Sequence, residues 1–350
     1  LFDSHDRARF QVTGYSIGPD DNSPLRRKLE TAFERFVDLR PYSHADAAAI
    51  IRADAVDILI DLTGYTQYAR PQIPAFRPAP LQVNFLGFPG TMGTDVIDYI
   101  IADPVVLPMD QACFFSEQIV HLSGCYQPND SRRMIAEHTP SRTDCGLTEI
   151  GFVFCCFNNS VKITPEVFAV WMRVLRAVPG SLLWLLASNP IVRDNLRREA
   201  RNAAVEPDRL VFAPRRPLPE HLARHRHADL FLDTLPYNAH TTASDALWAG
   251  LPVLTCTGPT FAGRVSASLL MSAGLPELIT QSLADYENLA LRLATNPALL
   301  NALRQRLADN RRTTPLFNGA TFARHLETAF DIMWRRWCAG LPPEAFTVDE

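Results

Sequence analysis

His240-Thr241-Thr242 stands where an apolar run, DLFLDT, gives way through a short turn to the helix-forming segment SDALWAG. A helix that begins there offers free backbone N–H groups and the positive end of its dipole, which together suit a phosphate or diphosphate. The threonine hydroxyls add donors, and a histidine can donate one more. Asp245, three residues after Thr242, fits either an N3 cap or a partner for a ligand hydroxyl. The plainer alternative is that Thr241 or Thr242 caps the helix and His240 fills an ordinary turn. A second group is CCFNNSVKIT, 155–164, where Lys162 follows a buried run and precedes Thr164-Pro165, an N-cap and first helical residue. An exposed, solvated lysine is the usual reading of such a position. Beside a diphosphate site the same ammonium becomes a ligand for the anion.

The chain has no G-x-G-x-x-G after a strand and no G-x-x-x-x-G-K-[ST], which counts against a dinucleotide or a P-loop. It also lacks an Asp-x-Asp triplet, so a divalent metal bridging a sugar-nucleotide diphosphate is not indicated, and no metal or other cofactor is expected. The spacing His221-x-x-x-His225-x-His227 invites a metal reading. No further Cys, His or acid nearby completes a site, however, and Arg224 and Arg226 would repel a cation.

These residues need a scaffold. RFQVTGYSIG (9–18) reads as a strand, 24–40 as a helix and 44–56 as a second helix, followed by apolar runs at 56–65, 81–91 and 98–108. Strands alternating with helices imply a mostly parallel sheet. A second series comprises GFVFCCFN, a helix from Pro165 to about Val178, SLLWLLAS, a helix over 191–203, RLVFAP, a helix over 219–227, DLFLDT, the helix after His240, PVLTC and further helices. Between the series, residues 127–149 are polar, contain prolines and show no apolar period, as in a linker. The reading is α/β: a Rossmann-like lobe over 1–126, the linker 127–149, and a second lobe over 150–350 with terminal helices. Ligands of such sheets sit beyond the carboxyl ends of the strands. Here those ends are Asp61–Tyr65, Phe88–Thr91, Asn158–Lys162, Pro214–Pro217 and Asp233–Thr242.

Composition sets bounds. The chain of 350 residues can hold two domains. It is 47% hydrophobic and 21% charged, with 34 basic against 38 acidic residues and a net charge of -4, an ordinary balance that argues against a nucleic-acid partner. The seven cysteines form no C-x-x-C pair and fit reduced thiols in a cytoplasmic protein. No apolar run approaches the length of a membrane span, and no signal-peptide pattern is present.

The stretches DLTGYTQYARPQIPAFRPAPLQVNFLGFPGTMG, DYIIAD, CCFNNSVKI, HLARHRHADLFLDTLPYNAHTTASDALWAG and FAGRVSASLL closely resemble, in order, the catalytic region of the O-linked N-acetylglucosamine transferase family, glycosyltransferase family 41, its bacterial members in particular. The resemblance implies a GT-B fold, two Rossmann-like lobes facing a cleft, and an inverting, metal-independent transfer of N-acetylglucosamine from UDP-N-acetylglucosamine to Ser or Thr hydroxyls of proteins. By resemblance Lys162 meets the donor diphosphate and Asn159 stands for a nucleotide-binding glutamine. His240, Thr241 and Thr242 hold the phosphates, Asp245 meets the ribose, His221 stacks near uracil, Arg224 lies on the nucleotide side, and Tyr237 lies near the sugar. The family places a uridine-pocket lysine where this chain has Leu218, which moves that contact toward Arg215 or Arg216. The family's catalytic region begins with a strand and a histidine-bearing segment, preceded by tetratricopeptide repeats that help to bind the acceptor. The first lobe of this chain is therefore expected to be incomplete at its N-terminus.

Direct displacement by a Ser or Thr hydroxyl, with UDP leaving against Lys162 and the helix N-terminus, is the expected chemistry. Asp61, at the end of VDILID, is a candidate base on geometry; a turn-capping carboxylate is the other reading of DLTG. Two alternatives stay open: a GT-B UDP-sugar epimerase, which would need cleft acids, and a non-catalytic module that binds UDP-sugar or protein. A fucose or glucose nucleotide could replace the N-acetylglucosamine donor.

Overall fold

Short apolar runs bounded by turns build two all-parallel α/β units, one of Leu1–Pro128 with Asn318–Glu350, the other of Asn129–Phe317. The structure, a computed structural model, describes residues 1–187 and 189–349. Ser188, the last residue of the expected strand SLLWLLAS, and Glu350 lie outside the described residues.

In the first unit β1 (Thr13–Ser16) and β2 (Arg35–Asp38) pair in parallel, with Tyr15 opposite Val37. Between them α1 (Pro24–Ala32) starts at Ser23, whose side chain accepts from the Arg26 N–H. The helix expected over 24–40 therefore stops at Ala32. Phe33 turns extended, and the aromatic and β-branched pair Phe36-Val37 takes the strand that β1 offers it. Then come α2 (His44–Ala53), which buries Ala47, Ala48 and Ile51, β3 (Ile58–Asp61), α3 (Gln72–Ala75), β4 (Leu81–Phe85), β5 (Tyr99–Ala102) and β6 (Gln118–His121). Strands β3 to β6 lie in sequence order. The loop after β4 runs so close to the loop after β3 that a Cβ at Gly87 would stand 2.0 Å from the Leu62 carbonyl oxygen.

The second unit contains β7 (Val153–Cys156), α4 (Pro165–Ala177), β8 (Leu182–Leu186), α5 (Pro190–Asn202), β9 (Leu210–Ala213), α6 (Leu218–Arg224), β10 (Leu230–Leu232), α7 (Thr241–Trp248), β11 (Val253–Cys256), α8 (Val265–Ser272), β12 (Ile279–Thr280), α9 (Leu283–Thr295) and α10 (Pro297–Asn310). The sheet order is β12-β11-β10-β7-β8-β9. The chain moves outward from β7 on one side, then returns to β7's other edge as β10. Such a reversal makes a topological switch point at the carboxyl ends of β7 and β10. Both strands are buried on both faces, which is why their sequences are unbroken apolar runs.

The end of the chain departs from the expected partition. Helix α11 (Gly319–Cys338) and β13 (Phe346–Thr347) belong to the first unit, not to the lobe drawn over 150–350. The face of α11 that carries Leu326, Ala329 and Met333 is buried, Phe322 stacks on Phe85 of β4 at 6.3 Å, and Glu327 accepts from the Asp6 N–H and pairs with His5. β13 then extends the sheet beside β6, with Phe346 opposite Val120.

Candidate functional site

Two segments converge at the switch point of the second unit. After β7 the chain passes Phe157 and the buried Asn158 into a single 3-10 turn, Ser160–Lys162, capped by Asn159 through the Val161 N–H at 3.2 Å. After β10, Asp233 and Thr234 lead into the turn that ends at His240, the N-cap of α7. Asn158 ties the two: its amide nitrogen donates to Thr234 Oγ1 at 2.8 Å, and its carbonyl oxygen accepts from Thr242 Oγ1. Gly263 backs the turn from the far side, where a Cβ would lie 2.8 Å from the Pro236 carbonyl.

Lys162, Tyr237 and His240 form a stack. The Lys162 ammonium lies 4.0 Å from the centre of the Tyr237 ring, which stacks on His240 at 4.8 Å, and Nζ donates to the Asn238 carbonyl at 2.8 Å. Burial lowers the Lys162 pKa, while the charge of Asp233 acts to raise it. Burial, then the Lys162 charge, takes His240 down to about 4, against a backbone contact with Ala262 that acts to raise it. His240 is neutral at pH 7, with Nε2 3.3 Å from the Ala262 carbonyl. It does not cap α7 through its side chain. The first N–H groups of α7 therefore keep their donor capacity, because the earliest internal bond is Ser244 N–H to His240 O at 3.1 Å.

The two threonines differ. Thr241 is exposed, whereas the Thr242 hydroxyl proton points inward to Asn158. Asp245 is likewise engaged: it pairs with Arg133, whose carbonyl accepts from Trp248 Nε1 at 3.0 Å. Burial raises the Asp245 pKa and Arg133 opposes that rise. Of the linker expected over 127–149, residues 129–149 belong to the second unit, where Ala136 N–H also bonds Pro219 O and Arg226 bonds Thr139 Oγ1.

On α6, Arg224 is buried over the Phe157 ring at 4.5 Å and donates to the Pro214 carbonyl at 2.6 Å. Burial takes Arg224 down to about 10. His221 packs 5.3 Å from Phe157 and accepts from Arg224 through Nδ1; burial, then His225 and Arg224, take it down to about 3. The histidine spacing that invites a metal is spent on this packing. His225 lies in an edge contact with His221, and His227 Nε2 bonds the Pro140 carbonyl. Among the described residues no group of three or more His, Cys, Asp or Glu is placed to hold a metal ion, all seven cysteines are free, and no helix is long and apolar enough to cross a membrane.

Asp61 belongs to the first unit. Its Oδ1 accepts from Thr63 N–H at 2.8 Å, Thr63 Oγ1 at 2.7 Å and Gly64 N–H at 3.1 Å, which is the geometry of a turn cap.

The profile of the family described as "Glycosyl transferase family 41" matches residues 1–144 and 137–326. The chain belongs to glycosyltransferase family 41. It is 38% identical over 356 residues to a protein of Arabidopsis thaliana named "Probable UDP-N-acetylglucosamine--peptide N-acetylglucosaminyltransferase SEC", covering 100% of this chain and 36% of that protein. A similarly named protein of Petunia hybrida, SPINDLY, is 34% identical, covering 97% and 37%. This family 41 chain thus spans little more than a third of those relatives' lengths. Among solved structures, a point mutant of the Thermobaculum terrenum O-GlcNAc transferase matches with a TM-score of 0.89 and 33% identity over 97% of this chain and 64% of that one. The α/β architecture is that of the GT-B catalytic region of this family. A structure described as "putative UDP-N-acetylglucosamine 2-epimerase from Listeria monocytogenes" is similar at TM-score 0.50 and 12% identity, a likeness of fold alone.

Residues that sequence reasoning gave no role are Asn158, Asp233 and Arg133. Asn158 and Asp233 stood among the strand-end residues, and their full burial was the signal that sequence could not supply. Arg133 lies in a segment without periodicity and left no signal.

Proposed function

We propose that this chain is the catalytic region of an inverting, metal-independent transferase that moves N-acetylglucosamine from UDP-N-acetylglucosamine to Ser or Thr hydroxyls of proteins. The observation that carries the reading is the convergence of the Lys162 ammonium with the uncapped N-terminus of α7 at the switch point. The acceptor hydroxyl oxygen attacks the anomeric carbon and gives up its proton to solvent, while the bond from that carbon to the β-phosphate oxygen breaks and its electron pair leaves with UDP. Lys162 and the N–H groups of Thr241 and Thr242 meet that growing charge in place of a metal. Lys162 has N–H donors left beyond the one on Asn238, and the neutral imidazole of His240 retains Nδ1 as an acceptor. By the family resemblance, Asn159, His221 and Arg224 serve the nucleotide, Tyr237 the sugar, and Asp245 the ribose, once it exchanges or shares Arg133. The relatives' names favour N-acetylglucosamine over fucose or glucose.

Full-length protein, incubated with radiolabelled UDP-N-acetylglucosamine and a cell lysate with and without EDTA, tests the reading. Label should enter Ser and Thr of proteins at the same rate in both arms. Activity lost in EDTA and restored by manganese would overturn the metal-free part, a released sugar isomer would indicate the epimerase, and no turnover would indicate a binding module.

A further inference from the structure

The buried carboxylate of Asp233 has no part in the chemistry above. It stands at the end of β10, 2% exposed. Oδ1 accepts from Thr234 N–H at 2.7 Å and Ala239 N–H at 2.6 Å, with Asn158 Nδ2 at 3.4 Å, and Oδ2 accepts from Thr255 Oγ1 at 2.7 Å. A carboxylate taken this far from water is costly unless its charge is answered.

The answer lies on the other side of one peptide. Ala239 N–H, which donates to Asp233, and Asn238 C=O, which accepts from Lys162 Nζ at 2.8 Å, are the two ends of the same amide. The order is ammonium, carbonyl oxygen, amide N–H, carboxylate, so the amide dipole lies between opposite charges and is polarised by both. That amide immediately precedes His240 and the N-terminus of α7.

We propose that Asp233 is a positioning residue for the diphosphate site: through the Asn238–Ala239 amide it is the counter-charge that keeps Lys162 an ammonium, and it fixes the turn that presents α7. The role in donor binding rests on the function proposed above; the charge coupling does not. The titratable groups facing Lys162 are Asp233 from β10, Cys156 from β7, and Tyr237 and His240 from the turn. Both Asp233 oxygens accept from N–H or O–H donors, the coordination of a carboxylate, whereas burial raises the Cys156 thiol and the Tyr237 phenol and leaves His240 neutral, so the negative charge facing Lys162 is that of Asp233. Burial also raises the Asp233 carboxyl, opposed by bonds from Thr255, Ala239 and Thr234.

The sequence contains two lysines, Lys28 and Lys162, so a chain labelled with ¹³C at the lysine ε-carbon gives two side-chain signals. Lys28, whose side chain is 54% exposed, serves as the internal reference. In Asp233→Asn the Lys162 titration should move down by about one pKa unit or more while Lys28 stays in place. A Lys162 titration that coincides in the two proteins would overturn the proposal. Should the Asn variant fail to fold, Lys162→Met decides it. Coupling is reciprocal, so the Asp233 carboxyl, followed by ¹³Cγ, must then titrate higher by a similar amount, and an unmoved Asp233 overturns the proposal. Neither measurement uses UDP. A wild-type chain that showed the coupling but bound no UDP would refute the donor-site reading alone.

Discussion

Asp61 ends the half-buried parallel strand β3 and Asp233 directly follows the buried parallel strand β10; both hold a turn with their carboxylates, yet they are wired differently. Among the described residues, every hydrogen bond to the Asp61 carboxylate comes from two or three residues further along its own turn. Asp233 reaches Ala239, Thr255 and Asn158, on the far side of its turn, on β11 and beyond β7. The first arrangement closes a local loop; the second locks three segments together where a helix N-terminus meets a lysine. A strand-end aspartate in sequence is thus a cap or a keystone according to which strands the topology puts beside it.

The contrast breaks most visibly at Lys162. In full-length protein Lys162→Ala should lower kcat by about 10²–10³-fold, the scale of removing one preorganised donor to a developing negative charge. Steady-state kinetics showing less than a few-fold loss would take the second turn out of catalysis. Asp61→Ala sharpens the other side. A cap's loss should cost about 1–2 kcal/mol of stability and less than about tenfold in kcat, whereas loss of a general base costs about 10²–10⁴-fold. Denaturant unfolding and kinetics on the same variant distinguish the two.

Acid offers a third handle, specific to the second unit. The folded pKa of His240, about 4, lies below its ordinary value of 6.5, so the unfolded chain binds the extra proton. The stability this neutral histidine supports is complete above pH 6.5 and drains away as pH falls toward 4. The raised carboxyls of Asp233 and Asp245 act in the opposite sense above pH 3.8, so the His240 contribution is the difference between wild type and His240→Gln. Melting temperatures should converge as pH falls through that window; parallel curves would contradict a buried neutral His240. The smallest effect belongs to Thr242→Val. Because its hydroxyl donates to Asn158, this change should cost about 1 kcal/mol of stability and only a few-fold in UDP affinity. A loss of a hundredfold or more would mean that the hydroxyl turns outward to the ligand.

Much of this was legible in the sequence, and the exceptions share a cause. β7 and β10 announced themselves because strands buried on both faces are unbroken apolar runs, and the H-T-T turn did so by following one of them. Segment 35–38 was hidden inside a helical reading, since four residues carry too little periodicity to outweigh a neighbouring helix. The allegiance of α11 and β13 depends on Phe85 and Val120, hundreds of residues earlier, and no local pattern reports it. The site divides in the same way. Lys162 and His240 could be named from their positions, but the amide joining Lys162 to Asp233 and the Arg133 pair on Asp245 exist only once the segments meet.

Calorimetry of UDP on the 350-residue chain and its Lys162→Met variant is the most direct test of the central claim, that the β7 and β10 ends of the second unit form a diphosphate site. Every nucleotide contact proposed here lies within 158–245. Wild type should bind one UDP per chain, and the variant should bind about tenfold or more weakly, the scale of one charge-assisted hydrogen bond. No detectable binding by wild type, or equal affinities for the two, would contradict it.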